Sequence, residues 1–333
     1  MSVYIVAEIG QAHDGSLGIL HSYIDALSTT GVDAIKFQTH IAKAESSNYE
    51  NFRTDFSYEN ESRYEYWERM EFSLLQWKEI KAHCDQVGLE FISSPFSNKA
   101  VDLLENIGVD VYKVGSGEIS NLLLLERIAK TNKAVILSSG LSTYNELDEA
   151  VNLLKSFDID ISLLQCTTKY PTCAEDVGLN VITEMAERYM LPVGISDHSG
   201  TIVPSLAATS LGADILEFHA VFDRKMFGPD SSSSLEMNEI AKLVEGVRFI
   251  EESLNNPIYK NNNEKQKDLR KMFGKSLSIN KSLMKGSIIT FDDLEAKKPE
   301  GYGIPARLYK DVIGKKVNKD LSQWSFLNDD DIL

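Results

Sequence analysis

The chain has 333 residues, 43% of them hydrophobic and 25% charged, which is enough for a large core and leaves room for one big domain and a small one. A formal net charge of −16 argues against nucleic-acid binding, which needs a basic footprint, and no apolar run is long enough to offer a membrane span. The N-terminus MSVYIVAEIG lacks a secretory signal pattern, and Cys84, Cys166 and Cys173 lack the number and spacing of a disulfide framework or zinc site, so a soluble cytoplasmic protein is expected.

Short apolar runs predict strands at Val3–Ile9, Asp33–Thr39, Leu89–Ser94, Val109–Gly115, Ala134–Ser139, Ile161–Thr167, Leu191–Ser196 and Ala213–His219. Helical patterns such as Leu74–Val87 and Tyr144–Phe157 lie between them. Eight β-then-α units predict an α/β protein whose residues 1–253 form a (β/α)8 TIM barrel. The connection from Ile41 to Phe72 is long, polar and aromatic, as functional or partly disordered loops are. Residues 254–273 are polar and Asn-rich and read as a linker. Residues 274–333 read as a small β-rich domain, nearly balanced in charge, with Asn280–Leu283 and Ser287–Leu294 echoed 38 residues later.

Each predicted strand ends in polar side chains: Glu8; Lys36 and Gln38; Ser93 and Ser94; Lys113, Ser116 and Glu118; Ser138 and Ser139; Gln165, Thr167, Thr168 and Tyr170; Ser196, Asp197 and His198; Glu217 and His219. One such end is explained by helix capping, but eight in a row mark the catalytic face of a barrel. His198 and His219 close adjacent strands and suit a divalent metal with open positions, with Glu217 as an outer partner; a packed, hydrogen-bonded pair is the alternative. Lys36 and Lys113, set in apolar strands, point to a small phosphate- or carboxylate-bearing ligand. The backbone of Gly115-Ser116-Gly117 can approach such oxygens, and a Schiff-base Lys113 is the competing reading. Glu8 and Glu118 are candidate general acids or bases, or else ion-pair partners for the two lysines. Phe227–Ser234 reads as a mobile loop with Asp230 as a possible contact, and Cys166 as a small buried hydrophobe.

The ordered segments AEIGQAHDGS, DAIKFQT, FISSPF, YKVGSGE, ILSSGLST, CTTKYPT, GISDHSG and LEFHAVFDRKMFGPD together resemble the sialic acid synthase (NeuB-type) family of nonulosonate synthases. The tail, with LMKGSIITFDDLEAKKPEGYGI and DVIGKK, is similar to that family's antifreeze-like SAF domain. The resemblance implies condensation of phosphoenolpyruvate (PEP) with an N-acylated hexosamine, such as N-acetylmannosamine or a 2,4-diacetamido-6-deoxy hexose, releasing phosphate. It implies that His198 and His219 bind Mn²⁺, with Mg²⁺ or Co²⁺ as alternatives. Lys36, Lys113 and Ser116 would hold PEP, with Ser94, Thr168 and Ser196 nearby; Glu8, Tyr170 and Asp230 would orient the sugar, and Glu118 would assist proton transfer. It also implies a domain-swapped homodimer in which each SAF domain covers the partner's barrel. Two departures stand out: Thr168 replaces the family's Asn or Ser, and Lys297-Lys298-Pro299 replaces a Lys-Arg-Pro motif. Lys298, or Arg307 nearby, then stands in for a guanidinium whose bidentate geometry lysine lacks. Another barrel aldolase is the alternative function.

Overall fold

A computed structural model of the chain describes residues 2–53, 61–261 and 264–333. The chain divides into two compact units, residues 1–256 and 257–333. In the first, eight parallel strands pair in chain order: β1 (Tyr4–Glu8), β2 (Ala34–Thr39), β3 (Glu90–Pro95), β4 (Val111–Val114), β5 (Ala134–Ser138), β6 (Ile161–Cys166), β7 (Val193–Asp197) and β8 (Ile215–Val221). β1 pairs with β8, from Tyr4 opposite Ile215 to Glu8 opposite His219, and closes the barrel. Every predicted strand falls within two residues of its observed bounds.

The two-residue period of a strand sorts its side chains between two cores. Outward residues such as Ile5, Ala7, Ile35, Phe37, Leu137, Leu163 and Phe218 pack under the surrounding helices. Inward residues Val6, Ala34, Ile92, Ile136, Leu164 and Ile215 form a separate apolar layer that fills the barrel. One step further along each strand, two residues on, the inward ring becomes Glu8, Lys36, Ser94, Ser138, Cys166 and Glu217; Lys113 and Ser196 complete it from β4 and β7. Gly194 occupies the β7 position of the apolar layer because a Cβ there would fall 1.8 Å from the Ile215 carbonyl oxygen.

Helix capping falls to other residues: Ser16, Ser73, Ser97, Asn121 and Thr143 cap the helices that follow them, and Ser73 and Thr143 form reciprocal boxes with Gln76 and Glu146. The Ile41–Phe72 connection contains two helices, Ala42–Glu45 and Arg63–Met70; its residues 54–60 lie outside the described residues. Over the segment expected to be mobile, the structure instead has a 3₁₀ turn at Ser231–Ser233, with Ser231, Ser233 and Ser234 buried.

The expected linker is also more structured than its composition suggests. The helix Met237–Asn255 runs past residue 253, and Lys267–Phe273 is a second helix, with no buried residue, made of good helix formers such as Lys, Leu, Arg and Met. In the second unit, Ser276–Ile279 pairs antiparallel with Leu294–Lys297 over a core that includes Leu277, Ile279, Ile289, Val317 and Leu327. The internal repeat is structural. Lys281 pairs with Asp293 as Lys319 pairs with Asp331, and Asn280 and Asn318 donate side-chain hydrogen bonds to the carbonyls of Asp292 and Asp330. The two copies meet where Leu283 and Leu321 exchange backbone hydrogen bonds of 2.9 and 2.8 Å.

Candidate active site

The inward ring forms the floor of a cavity of about 370 Å³ at the C-terminal ends of the strands. Its walls include every predicted site residue of the barrel: Glu8, Lys36, Ser94, Lys113, Ser116, Glu118, Thr168, Tyr170, Ser196, His198, His219 and Asp230. Lys298 belongs to the second unit, where its ammonium lies 4.8 Å from the centre of the Phe273 ring.

Two buried lysines face two buried glutamates. Lys36 Nζ is 2.7 Å from Glu8 Oε1 and 3.8 Å from Glu217 Oε1, while Lys113 Nζ is 3.1 Å from Glu217 Oε1. Gln38 Nε2 donates to Glu8 at 2.7 Å and Ser196 Oγ donates to Glu217 at 2.9 Å. Burial pushes the Glu8 carboxyl up, but Lys36, His219 and Lys113 outweigh it and hold the group well below the usual carboxylate range. Burial likewise opposes the Lys36 ammonium, and Glu217 and Glu8 more than compensate, so its proton is held more firmly than usual. Glu8 is therefore an ionised partner of Lys36 rather than a general acid. Lys113 is matched from across the barrel by Glu217, which the sequence had suggested as an outer partner of His219.

Glu118 sits beyond the end of β4, in the 3₁₀ turn Ser116–Glu118, rather than on the strand. It accepts a 2.7 Å hydrogen bond from Asn121, and burial raises its carboxyl above the ordinary range, helped by the charge of Glu45. Of the two candidate glutamates, it is the one whose surroundings favour the acid form over the ordinary carboxyl.

His198 Nδ1 lies 3.0 Å from the Thr167 carbonyl, so Nδ1–H donates there and Nε2 is the nitrogen not used in that bond. His219 Nε2 is 3.3 Å from Glu8 Oε2, and the two imidazole centres are 5.3 Å apart. Among the described residues no group of three or more His, Cys, Asp or Glu side chains is arranged to hold an ion. His198 and His219 therefore line the cavity as two imidazoles with no closed, multi-ligand site around them among the described residues.

Next to the lysines the wall is short of partners. Ser116 Oγ accepts from the Gly140 N–H at 3.0 Å, and a Cβ on Gly140 would fall 2.5 Å from Thr168 Oγ1 and 2.7 Å from Ser116 Oγ. Ser138 Oγ, Thr168 Oγ1 and Glu217 Oε2 are buried with no hydrogen-bond partner among the described residues. Each such atom costs about 1–3 kcal/mol unless something fills the space it faces. The opposite wall is aromatic and cationic: the Tyr170 ring lies 4.0 Å from His198, and the Arg53 guanidinium lies 3.8 Å from its centre. Arg53 also pairs with Asp230 at 2.8 Å. Arg53 and Gly140 were not singled out in the sequence, and Ser138 and Glu217 were read only as a strand-end residue and as an outer partner of His219. The step-of-two rule finds Ser138 and Glu217, but no sequence signal marks Arg53.

A closed parallel barrel with paired lysines, orphaned hydroxyls and two imidazoles at its C-terminal mouth has the make-up of an enzyme active site. Residues 23–259 match the NeuB family, and the chain belongs to it. The N,N'-diacetyllegionaminic acid synthase of Campylobacter jejuni is 34% identical over 325 residues, spanning 96% of this chain and 97% of its own. Human N-acetylneuraminate-9-phosphate synthase is 33% identical, spanning 94% of this chain and 88% of its own. The crystal structure of N-acetylneuraminic acid synthetase from Leptospira borgpetersenii, in complex with citrate, superposes with a TM-score of 0.71 at 30% identity, covering 81% of this chain and 90% of that one.

Proposed function

We propose that the chain condenses PEP with the open-chain aldehyde of an N-acylated hexosamine to give a nine-carbon 2-keto sugar acid and phosphate. That it is a nonulosonic acid synthase, a PEP-condensing transferase, follows from its family and from near full-length similarity to synthases of legionaminic and neuraminic acids. The observation that carries the substrate assignment is the orphaned Ser138 and Thr168 hydroxyls beside Lys36 and Lys113, donors suited to a phosphate and a carboxylate.

In the reaction, C3 of PEP forms a bond to the aldehyde carbon, water adds at C2, and C–O cleavage releases phosphate. Lys36, Lys113, Ser94 and Ser196 hold the anionic groups of PEP. Ser116, Ser138, Thr168 and the Gly140 region fit around its phosphate, orienting C3 and exchanging hydrogen bonds as charge moves to the leaving group. Glu8, Tyr170 and Asp230, with Arg53 behind them, orient the sugar. Glu118, biased toward its acid form, exchanges the proton that the aldehyde oxygen requires. His198 and His219 would hold Mn²⁺, or Mg²⁺ or Co²⁺, which supplies Lewis-acid polarisation of the carbonyl.

The Lys113–Glu217 ion pair engages the amine with a carboxylate, which favours anion binding over the Schiff-base alternative. We further infer that the second unit is a SAF-type domain acting on a partner's barrel in a cytoplasmic homodimer, with Lys298 or Arg307 replacing the family's arginine. The loss of that guanidinium favours a legionaminic-type 2,4-diacetamido-6-deoxy substrate. Phosphate release from PEP with a panel of N-acyl hexosamines tests the reading: release dependent on one such sugar is expected, and none with any member of the panel would overturn it.

A further inference from the structure

Asp230 reaches the cavity wall from the connection between β8 and the helix Met237–Asn255. That connection holds just the 3₁₀ turn Ser231–Ser233 and the two-residue strand Leu235–Glu236, so side chains must fix its path. Arg224, in the same connection, is not one of the cavity-lining residues. Its guanidinium bridges three separate segments. Nε donates to the Ser234 carbonyl at 2.9 Å, while Nη2 donates to the Gly200 carbonyl at 2.8 Å and pairs with Glu239 in the first turn of the helix. Gly200 lies two residues past His198, in the loop that follows β7. The two loops touch there: Gly200 has a φ of +69°, and a Cβ on it would fall 3.0 Å from the Ser232 carbonyl oxygen. The link to Asp230 runs through Ser234. Its carbonyl accepts from Arg224, and its hydroxyl donates to the Asp230 carbonyl at 2.8 Å, beside the Ser233 N–H at 3.0 Å. A guanidinium presents its N–H donors in one rigid plane; a lysine would keep a charge for Glu239 but lose that fork.

We propose that Arg224 is a positioning residue for the sugar: through Ser234 and Gly200 it fixes the backbone of Asp230 against the loop that carries His198. This rests on the role given to Asp230 in the proposed function. The groups assigned to PEP stand elsewhere, with Lys36 on β2, Ser94 on β3, Lys113 on β4, Ser138 on β5 and Ser196 on β7. Loss of the fork is therefore felt at the sugar end of the cavity and not at the PEP end.

Hydrogen exchange followed by mass spectrometry on the full-length protein reads the clamp without any substrate. Arg224→Lys should speed exchange in peptides covering residues 228–236 and leave those covering β2 to β5 unchanged. Unaltered exchange in 228–236 would overturn the inference. Steady-state kinetics read the consequence. Arg224→Lys should raise KM for the N-acyl hexosamine about 10- to 100-fold while KM for PEP stays within about twofold. Asp230→Ala removes the group that Arg224 positions, so adding Arg224→Lys to it should lower kcat/KM for the sugar by less than about threefold more. Losses that multiply, or an equal rise in both KM values, refute the positioning role and assign Arg224 to general structure. If Arg224→Lys does not fold, Ser234→Ala takes its place. It removes only the hydroxyl that holds the Asp230 carbonyl and should raise the same KM about 3- to 10-fold, the scale of one hydrogen bond; an unchanged KM refutes the relay. Absence of turnover in the unsubstituted enzyme with every sugar of the panel refutes the proposed function, and the exchange data still decide the clamp.

Discussion

Lys113 and Glu217 stand on opposite sides of the barrel, each 2–3% exposed in its side chain and 3.1 Å apart, while Lys36 and Glu8 pair between the adjacent strands β2 and β1. Breaking one buried pair leaves a charge without its match, which typically costs about 3–5 kcal/mol. Lys113→Ala is therefore expected to raise KM for PEP and also lower kcat, a combined loss in kcat/KM of roughly 10²- to 10³-fold, the scale of losing one fixed stabiliser of developing charge. Steady-state kinetics check this, and an unchanged KM for PEP would assign Lys113 to structure. Glu118→Gln should lower kcat about 10²- to 10⁴-fold, the usual range for a general acid or base, with both substrates still binding. The sign of the pH effect follows from burial. The Glu118 carboxyl is raised, so its acid form persists above the range of an exposed glutamate and is lost as pH climbs through the raised value. The kcat profile should therefore fall on that alkaline side in the unsubstituted enzyme and lose this limb in Glu118→Gln. With two imidazoles as donors, a metal would exchange readily; a chelator should abolish turnover and Mn²⁺, Co²⁺ or Mg²⁺ restore it. Full turnover in verified metal-free protein would exclude the metal.

At the scale of elements, each barrel strand carries an apolar residue and then, two positions on, a polar one: Val6 then Glu8, Ala34 then Lys36, Ile215 then Glu217. That pattern was legible in the sequence because pleating alone decides which residues share a face. The second unit is built on the other repeat. Burial pushes Asp293 and Asp331 up, but hydrogen-bonded lysines and backbone N–H groups outweigh it and hold both carboxyls below the usual range. Carboxyls depressed by folding stabilise the native state above their unfolded values and lose that contribution as pH falls through the folded ones. Asp293→Ala and Asp331→Ala should each cost about 1–2 kcal/mol near pH 7 through the lost cap and ion pair. Urea titration of the full chain should show that deficit shrinking below about pH 4, where unfolded aspartates protonate; a deficit independent of pH would mean that packing rather than charge is at stake.

For the whole molecule, the proposed action of the second unit on a partner's barrel is tested by truncation and by mixing variants. Deleting residues 274–333 should leave a folded barrel with little activity. Mixing Lys298→Ala chains with Glu118→Gln chains should restore activity if the tail acts on its partner, because one site of each mixed dimer then has an intact barrel and an intact tail. A tail acting on its own barrel leaves every site with one defect, and no restoration would appear. If Lys298→Ala alone is fully active, the same test moves to Arg307; if both variants and the deletion are active, the tail is a separate module.

The sequence by itself determined the strand order, the barrel and the polar ring at its mouth, since eight βα repeats and a period of two need only local sterics and burial. It also carried the family's motifs, from AEIGQ to GISDH. Only the tertiary structure decided which charge answers which. Glu217 meets Lys113 across the barrel interior, Arg53 reaches Asp230 177 positions away, and His40 is wedged between Trp67 and Phe96. Those pairings depend on how the strands close and tilt, and on how far each side chain extends into a shared space. That geometry exists only once the first strand has found the last.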